Sequence, residues 1–214
     1  MTDQSATQVI QLSLQHAYDL IRTHEDELGR LDAAAGDGDH GAAMVRGLRA
    51  AVAATQSAAT APDELLTAAG AAFADEGGGA SGALFGSWVA AIGEQLGAGP
   101  YDAPHVVAAL EGSLALLCAL GKAKPGDKTM IDALDPFVAA LQQGVATGLS
   151  LAVAWQAALP AASAGAEATA ALIARRGRSA RLGERSRGHR DPGAVSMTFI
   201  LQAVGEALEE VCTT

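Results

Sequence analysis

Apolar residues recur every three or four positions along almost the whole chain, and no stretch reads as a convincing strand. That periodicity confines the 214 residues to an all-α fold. Half of the residues are apolar, which excludes a disordered chain. Only eight are aromatic (two Trp, two Tyr, four Phe), so alanine and leucine must carry the packing, a composition suited to helices that approach closely. Eight helices can be placed, at about residues 6–24, 41–56, 62–75, 81–96, 104–121, 129–143, 149–176 and 191–211. Pro104 suits the first turn of the fifth, and Pro160 is expected to bend the seventh. Asp191 is placed to cap the eighth, with Pro192 in its first turn. Connections are short except for an acidic loop after the first helix and a basic stretch at 177–190. No linker divides the chain, so residues 1–214 read as one helical domain with antiparallel neighbours.

The acidic loop contains Leu31-Asp32-Ala33-Ala34-Ala35-Gly36-Asp37-Gly38-Asp39-His40-Gly41, three carboxylates within eight residues. Anionic side chains this close repel one another unless they are solvated or share a cation. The flanking glycines and the short span favour the cation. Three hard oxygen donors suit magnesium or calcium better than zinc. The twelfth position of a calcium-binding helix-loop-helix is glutamate. Counting from Asp37 gives Leu48 and from Asp32 gives Ala43, which excludes that loop and leaves magnesium, an ion that binds carboxylates jointly with phosphates. A solvated acidic turn is the bland alternative.

Three further segments carry chemistry. Gly77-Gly78-Gly79-Ala80-Ser81-Gly82 satisfies G-x-G-x-x-G formally, but a helical stretch precedes it where a dinucleotide fold needs a strand. No G-x-x-x-x-G-K-[ST] occurs either. What remains is a glycine turn that opens a helix, whose amides favour a phosphate, or else a plain helix connection. In Gly126-Asp127-Lys128-Thr129-Met130-Ile131-Asp132, Thr129 and Asp132 approximate a capping box, and Thr129 and Met130 are candidate nucleotide contacts. Seven of the fourteen basic residues lie between Arg175 and Arg190, where Glu184 is the only acid. Arginine forks match phosphate oxygens, and the glycines there suit a lid, although a solvated basic loop has the same composition. His40 and His189 flank these loops as candidate phosphate donors or ordinary surface residues.

The net charge of −10, with half the basic residues in one segment, argues against a nucleic-acid binder and for a small anion held where that segment meets an acidic body. Residues 1–11 lack a basic region followed by an apolar core, so no signal peptide is expected. No uncharged apolar run is read as membrane-spanning, the richest at 149–162 being broken by Gln156 and Pro160. Cys118 and Cys212 read as buried, reduced thiols, and the compartment as the cytoplasm.

The four blocks, in order, resemble the dihydroxyacetone kinase L subunit family: Asp32 with Gly36-Asp37-Gly38-Asp39-His40-Gly41, Gly78-Gly79-Ala80-Ser81-Gly82, Gly126-Asp127-Lys128-Thr129-Met130, and Gly183-Glu184-Arg185-Ser186 with His189 and Asp191-Pro192-Gly193. The resemblance implies an eight-helix antiparallel up-and-down barrel with ADP or ATP at one end. Two Mg2+ ions would be held by Asp32, Asp37 and Asp39. The nucleotide site would take His40, Gly41, Ala43, Met44, Ser81, Gly82, Gly121, Thr129, Met130, Arg178, Asp191, Pro192 and Gly193, with Arg178 as the catalytic contact. It implies a phosphoryl relay to dihydroxyacetone held on a K subunit, the donor being a phosphohistidine on an M subunit of the phosphotransferase system; a homodimer is compatible. Two positions depart from the family: Ala43 stands where asparagine is usual, and Arg181 where an aromatic is common, either of which could accompany another ketose or polyol acceptor. The alternatives are the L half of a split ATP-dependent kinase and a non-catalytic nucleotide-binding regulator, with the length leaning toward the relay.

Overall fold

The computed structural model describes residues 1–34, 36–57 and 61–212; Ala35, within the acidic stretch, lies outside them. Among the described residues there is no strand, and there are nine α-helices: α1 (Asp3–Thr23), α2 (Glu25–Ala33), α3 (His40–Ser57), α4 (Pro62–Gly77), α5 (Gly79–Leu96), α6 (Ala103–Gly121), α7 (Ile131–Ala146), α8 (Leu151–Ala168) and α9 (Pro192–Cys212). Local chemistry sets several starts. Thr2, Asp102 and Ser150 accept the amides of Ser5, His105 and Val153 at 3.2, 2.9 and 3.4 Å, and Asp191 accepts that of Ala194 at 2.8 Å.

Eight long helices form a ring. Each packs on its neighbours in the order α1, α3, α4, α5, α6, α7, α8, α9, and α9 closes on α1. This is the expected eight-helix up-and-down barrel, with α2 as an addition that packs on α3 and α9. The interior holds Phe73, Phe85, Phe137, Leu134, Met197 and Leu201, all at most 2 % exposed. Small side chains bring α4 and α5 together: Gly70 lies against Gly86 and Ala90. Because neighbours alternate in direction, the starts of α3, α5, α7 and α9 all lie at one rim. The opposite end encloses an apolar cavity of about 140 Å³, bordered by Val9, Trp88, Tyr101 and Leu208.

Four expectations need correction. The segment after the first helix is not all loop, since Glu25–Ala33 is helical. Glu25, Asp26 and Glu27 crowd its first turn, where the helix dipole favours them, and the His24 ring stacks on Phe199 at 4.4 Å. The seventh helix ends at Ala168 rather than near 176, in a 3-10 turn at Thr169–Ala171. The Thr169 hydroxyl donates to the Ala166 carbonyl, and Lys128 takes the carbonyls of Thr169 and Leu172 that would have continued the helix. Cys118 is only half-buried and Cys212 is exposed, because Cys212 sits in the final turn of α9. Finally, the most apolar long helix is α6, not residues 149–162. It is long and apolar enough, by length and composition only, to cross a membrane, with a mean hydropathy of 1.6, yet here it is one stave of the ring between α5 and α7.

Candidate functional site

The acidic corner of the rim is built by α2, the following turn and the start of α3. The Asp32 carboxylate, on α2, accepts the amides of Gly38 at 2.8 Å and Asp39 at 3.1 Å, which folds the turn back over it. Gly38 has φ +80°, a conformation that favours glycine. Gly41 lets α3 approach α2, because a Cβ there would strike the Glu25 carbonyl. The result brings one oxygen each of Asp32, Asp37 and Asp39 within 4.8 Å of one another. Asp37 and Asp39 remain more than half exposed. Partial desolvation and the neighbouring Asp37 push the Asp39 carboxyl above the usual carboxylate range, with Arg178 opposing. Three converging hard-oxygen donors, whose charge the single cation Arg178 offsets only in part, fit divalent cations such as Mg2+.

Beside them is the glycine turn. Gly78 and Gly79 have φ +70° and +61° and open space where a Cβ would point, so the backbone presents itself bare where α5 begins. Arg46 donates to the carbonyls of Glu76 and Gly77 at 3.4 and 3.3 Å and steadies that turn. Across the rim, Asp132 accepts the Gly126 amide at 2.6 Å and the Thr129 amide at 2.8 Å, the returning half of the expected capping box. The Thr129 hydroxyl accepts the Ile131 amide.

The basic segment crosses the opening. Its centre, Arg178–Ser186, is a run of 3-10 turns broken at Gly183 (φ +55°). Its ends are held by buried polar groups. The Ser186 hydroxyl accepts the Ala174 amide and donates to the Gly183 carbonyl; Asp127 accepts Arg176 Nε at 3.3 Å. Arg178, half exposed, donates to Asp37 and lies 3.9 Å from Asp39. The basic segment and the acidic turn therefore meet at Arg178.

These elements enclose a polar cavity of about 270 Å³. Of the residues chosen from sequence, Asp32, Asp37, Asp39, His40, Ala43, Ser81, Thr129, Met130, Arg178, Asp191, Pro192 and Gly193 line it. Gly41, Met44, Gly82 and Gly121 do not. Gly41 packs on α2, Met44 is fully buried in the core, Gly82 lies against the Gly77 backbone, and Gly121 ends α6 near Leu84. His189 and Arg181 are exposed and outside the lining. Arg46, Lys128, Arg176 and Ser179 line it and were missed. Arg46 follows His40 and Ala43 at three-residue steps along one face of α3, a signal legible in principle.

His40 and Asp191, which also line the cavity, have shifted acidities as well. His40 is buried, which pushes its imidazole down to about 4, so it is neutral near pH 7. Its Nε2 lies 2.6 Å from Ser196 Oγ, and that hydroxyl donates to the Pro192 carbonyl. Nε2 is thus engaged by Ser196, whichever of the two atoms carries the shared proton. Burial also pushes the Asp191 carboxyl up to about 7, against the pull of the Ala194 amide and Lys128.

Residues 34–206 match the family model described as the DAK2 domain. The chain belongs to the DAK2 family. It is 42 % identical over 214 residues to the L-erythrulose kinase of Pectobacterium atrosepticum, covering 98 % of this chain and 36 % of that protein. This DAK2 protein spans about a third of the length of the erythrulose kinases it matches. It is 35 % identical over 210 residues to the ADP-binding subunit DhaL of the PEP-dependent dihydroxyacetone kinase of Escherichia coli, covering 96 % of this chain and 99 % of that one. In fold it is similar to the dihydroxyacetone kinase of C. freundii, with a TM-score of 0.70 and 29 % identity for the native form, covering 94 % of this chain and 34 % of that one. The complex of that kinase with AMP-PNP and Mg2+ gives a TM-score of 0.67 at 29 % identity, covering 92 % and 33 %.

Proposed function

We propose that this chain is the nucleotide-binding half of a kinase or phosphotransferase for a short ketose, holding ADP or ATP with two Mg2+ ions at the polar rim. The convergence of Asp32, Asp37 and Asp39 with the glycine turn and Arg178 around one cavity carries the reading. The match to a subunit named as ADP-binding and the likeness to a kinase solved with AMP-PNP and Mg2+ support it. The greater identity to erythrulose kinases supports a four-carbon ketose as acceptor beside three-carbon dihydroxyacetone.

Bound Mg2+ would neutralise phosphate charge and anchor the polyphosphate to the three aspartates. The chain's own groups do the rest. The Asp32 carboxylate is held in place before any ligand arrives by the amides it accepts. The bare amides at the start of α5 receive phosphate oxygens, with the positive end of the helix dipole behind them. Thr129, Met130 and Gly193 form the opposite wall. Arg178 is placed to stabilise charge on the phosphoryl group in flight. As the P–O bond to the nucleotide breaks and one to the ketose hydroxyl forms, the hydroxyl proton leaves to a base outside this chain. We assign acceptor binding to a K-type subunit. The full-length match to the PEP-dependent subunit supports a relay in which retained ADP is rephosphorylated by an M-type phosphohistidine protein.

Native mass spectrometry of the purified chain tests this. The expected result is a species heavier by one ADP and two Mg2+. Free exchange of ATP, with none retained, would replace the relay by an ATP-dependent kinase. No affinity for Mg2+ and nucleotide would end both.

A further inference from the structure

Lys128 is a cation where a cation is costly. It is 3 % exposed, its backbone has φ +64°, and no ion pair involves it among the described residues. Its ammonium instead donates to four backbone carbonyls: Thr169 at 2.9 Å, Leu172 at 3.4 Å, Ser186 at 2.8 Å and His189 at 2.5 Å. Three N–H donors thus serve four acceptors, the longest shared. Four carbonyl oxygens aimed at one point repel one another without a positive charge between them. Two belong to the stretch that leaves α8 and two to the stretch that returns to α9, so the ammonium ties together both ends of the basic segment. Neighbouring bonds reinforce the tie: the Asp127 carbonyl accepts the Arg175 amide at 3.0 Å, and the Ala170 carbonyl accepts the Gly188 amide at 2.8 Å. Between the tied ends stands Arg178, reaching Asp37. The left-handed backbone at Lys128, unfavourable for a residue with a Cβ, turns the side chain inward while the next two residues join the cavity wall.

We propose that Lys128 is a positioning residue that gathers the two ends of the arginine segment and thereby sets Arg178 over the aspartates. The proposal rests on the nucleotide-binding reading for its catalytic consequence, but not for its structural one. An ammonium suits the task because three divergent donors on a thin stem fit a cluster of carbonyls, which a planar guanidinium does not.

The test compares Lys128→Met, Arg178→Ala and the double variant of the full chain. Trypsin cleavage within residues 175–190, at unchanged helical circular dichroism, is expected to rise at least tenfold in Lys128→Met. With acceptor-bearing subunit and donor supplied, Lys128→Met is expected to slow transfer to within threefold of Arg178→Ala, and the double variant to be no slower than Arg178→Ala alone. Unchanged cleavage, or losses that multiply in the double variant, would overturn the proposal. Should Lys128→Met lose its helical signal, Lys128→Gln decides. Collapse of both would overturn the proposal, by showing that the lysine holds the barrel rather than the segment. If Arg178→Ala leaves transfer untouched, the role given to Arg178 fails, and the proposal falls with it even where cleavage shows the tether intact. A wild-type chain that binds no Mg2+ and nucleotide ends the functional reading instead, and the cleavage result alone then decides whether Lys128 holds the segment.

Discussion

The acidic and basic sides of the rim are built in opposite ways. On the acidic side, the frame is local: the Asp32 carboxylate gathers the amides of Gly38 and Asp39, while Asp37 and Asp39 stand exposed with Arg178 as their cationic partner. On the basic side, the arginine side chains are the exposed part and the frame is remote. Lys128, Asp127 and Thr169 reach into the segment from the α6–α7 connection and the end of α8. A short-range frame presents charges that need a ligand, and a long-range frame holds a charge ready to meet it.

The largest break in this comparison is expected from Arg178→Ala. Phosphoryl transfer should slow by about a thousandfold, at the low end for arginines that act only in the transition state, while affinity for Mg-ADP changes little. Steady-state rates beside calorimetric binding check this; equal losses in both would make Arg178 a plain binding group.

Asp37→Asn should come next. Loss of a direct ligand is expected to weaken Mg-ADP binding by more than the roughly 10–100-fold typical of an outer-sphere partner. The melting temperature of the ligand-free chain should hold or rise, because a repulsion is removed. Unchanged affinity in a titration would remove the cation from the acidic side.

Asp191 sharpens the comparison through pH. Its folded pKa of about 7 lies above that of an unfolded aspartate, so the native state binds more protons between about pH 4 and 7. Ligand-free stability therefore falls as pH rises through that window and levels off above it. Asp191→Asn, which keeps an N-cap acceptor, should flatten the profile by on the order of a few kcal/mol between its ends. Urea unfolding at pH 4.5 and 7.5 measures it; parallel profiles for both proteins would count against the buried carboxyl.

The smallest effect is expected at Arg190, which bridges Glu27 of α2 at 3.1 Å and Glu167 of α8 at 2.7 Å. These pairs are solvent-accessible, so Arg190→Ala should cost under about 1 kcal/mol, less at high salt. A larger loss in thermal unfolding would mean that α2, and with it Asp32, depends on the basic side more than the comparison allows.

Much of the site was legible because its frame is sequence-local. The aspartate spacing, the paired glycines at the start of α5, the Thr129–Asp132 box and the Asp191 cap each act within a few residues, and all of them line or border the cavity. The helix ring was legible for a related reason: periodicity marks each stave, and short connections force neighbours to run antiparallel. What escaped was remote. Helix α2 buries only Leu28 and depends on contacts with Phe199 and Arg190, more than 160 residues away. The end of α8 is set by Lys128 and Asp191. Met44 has the spacing of a site residue but faces the core, since one helix face cannot serve both.

By itself, then, the amino-acid order determined an all-helical ring with carboxylates, bare amides and arginines at helix starts, because each of those features acts over one or two turns. Only the tertiary structure decided that Arg178 meets Asp37, that the buried His40 ring meets Ser196, and that one buried lysine gathers four carbonyls. Those are contacts between segments far apart along the chain, and their geometry exists only once the ring has closed.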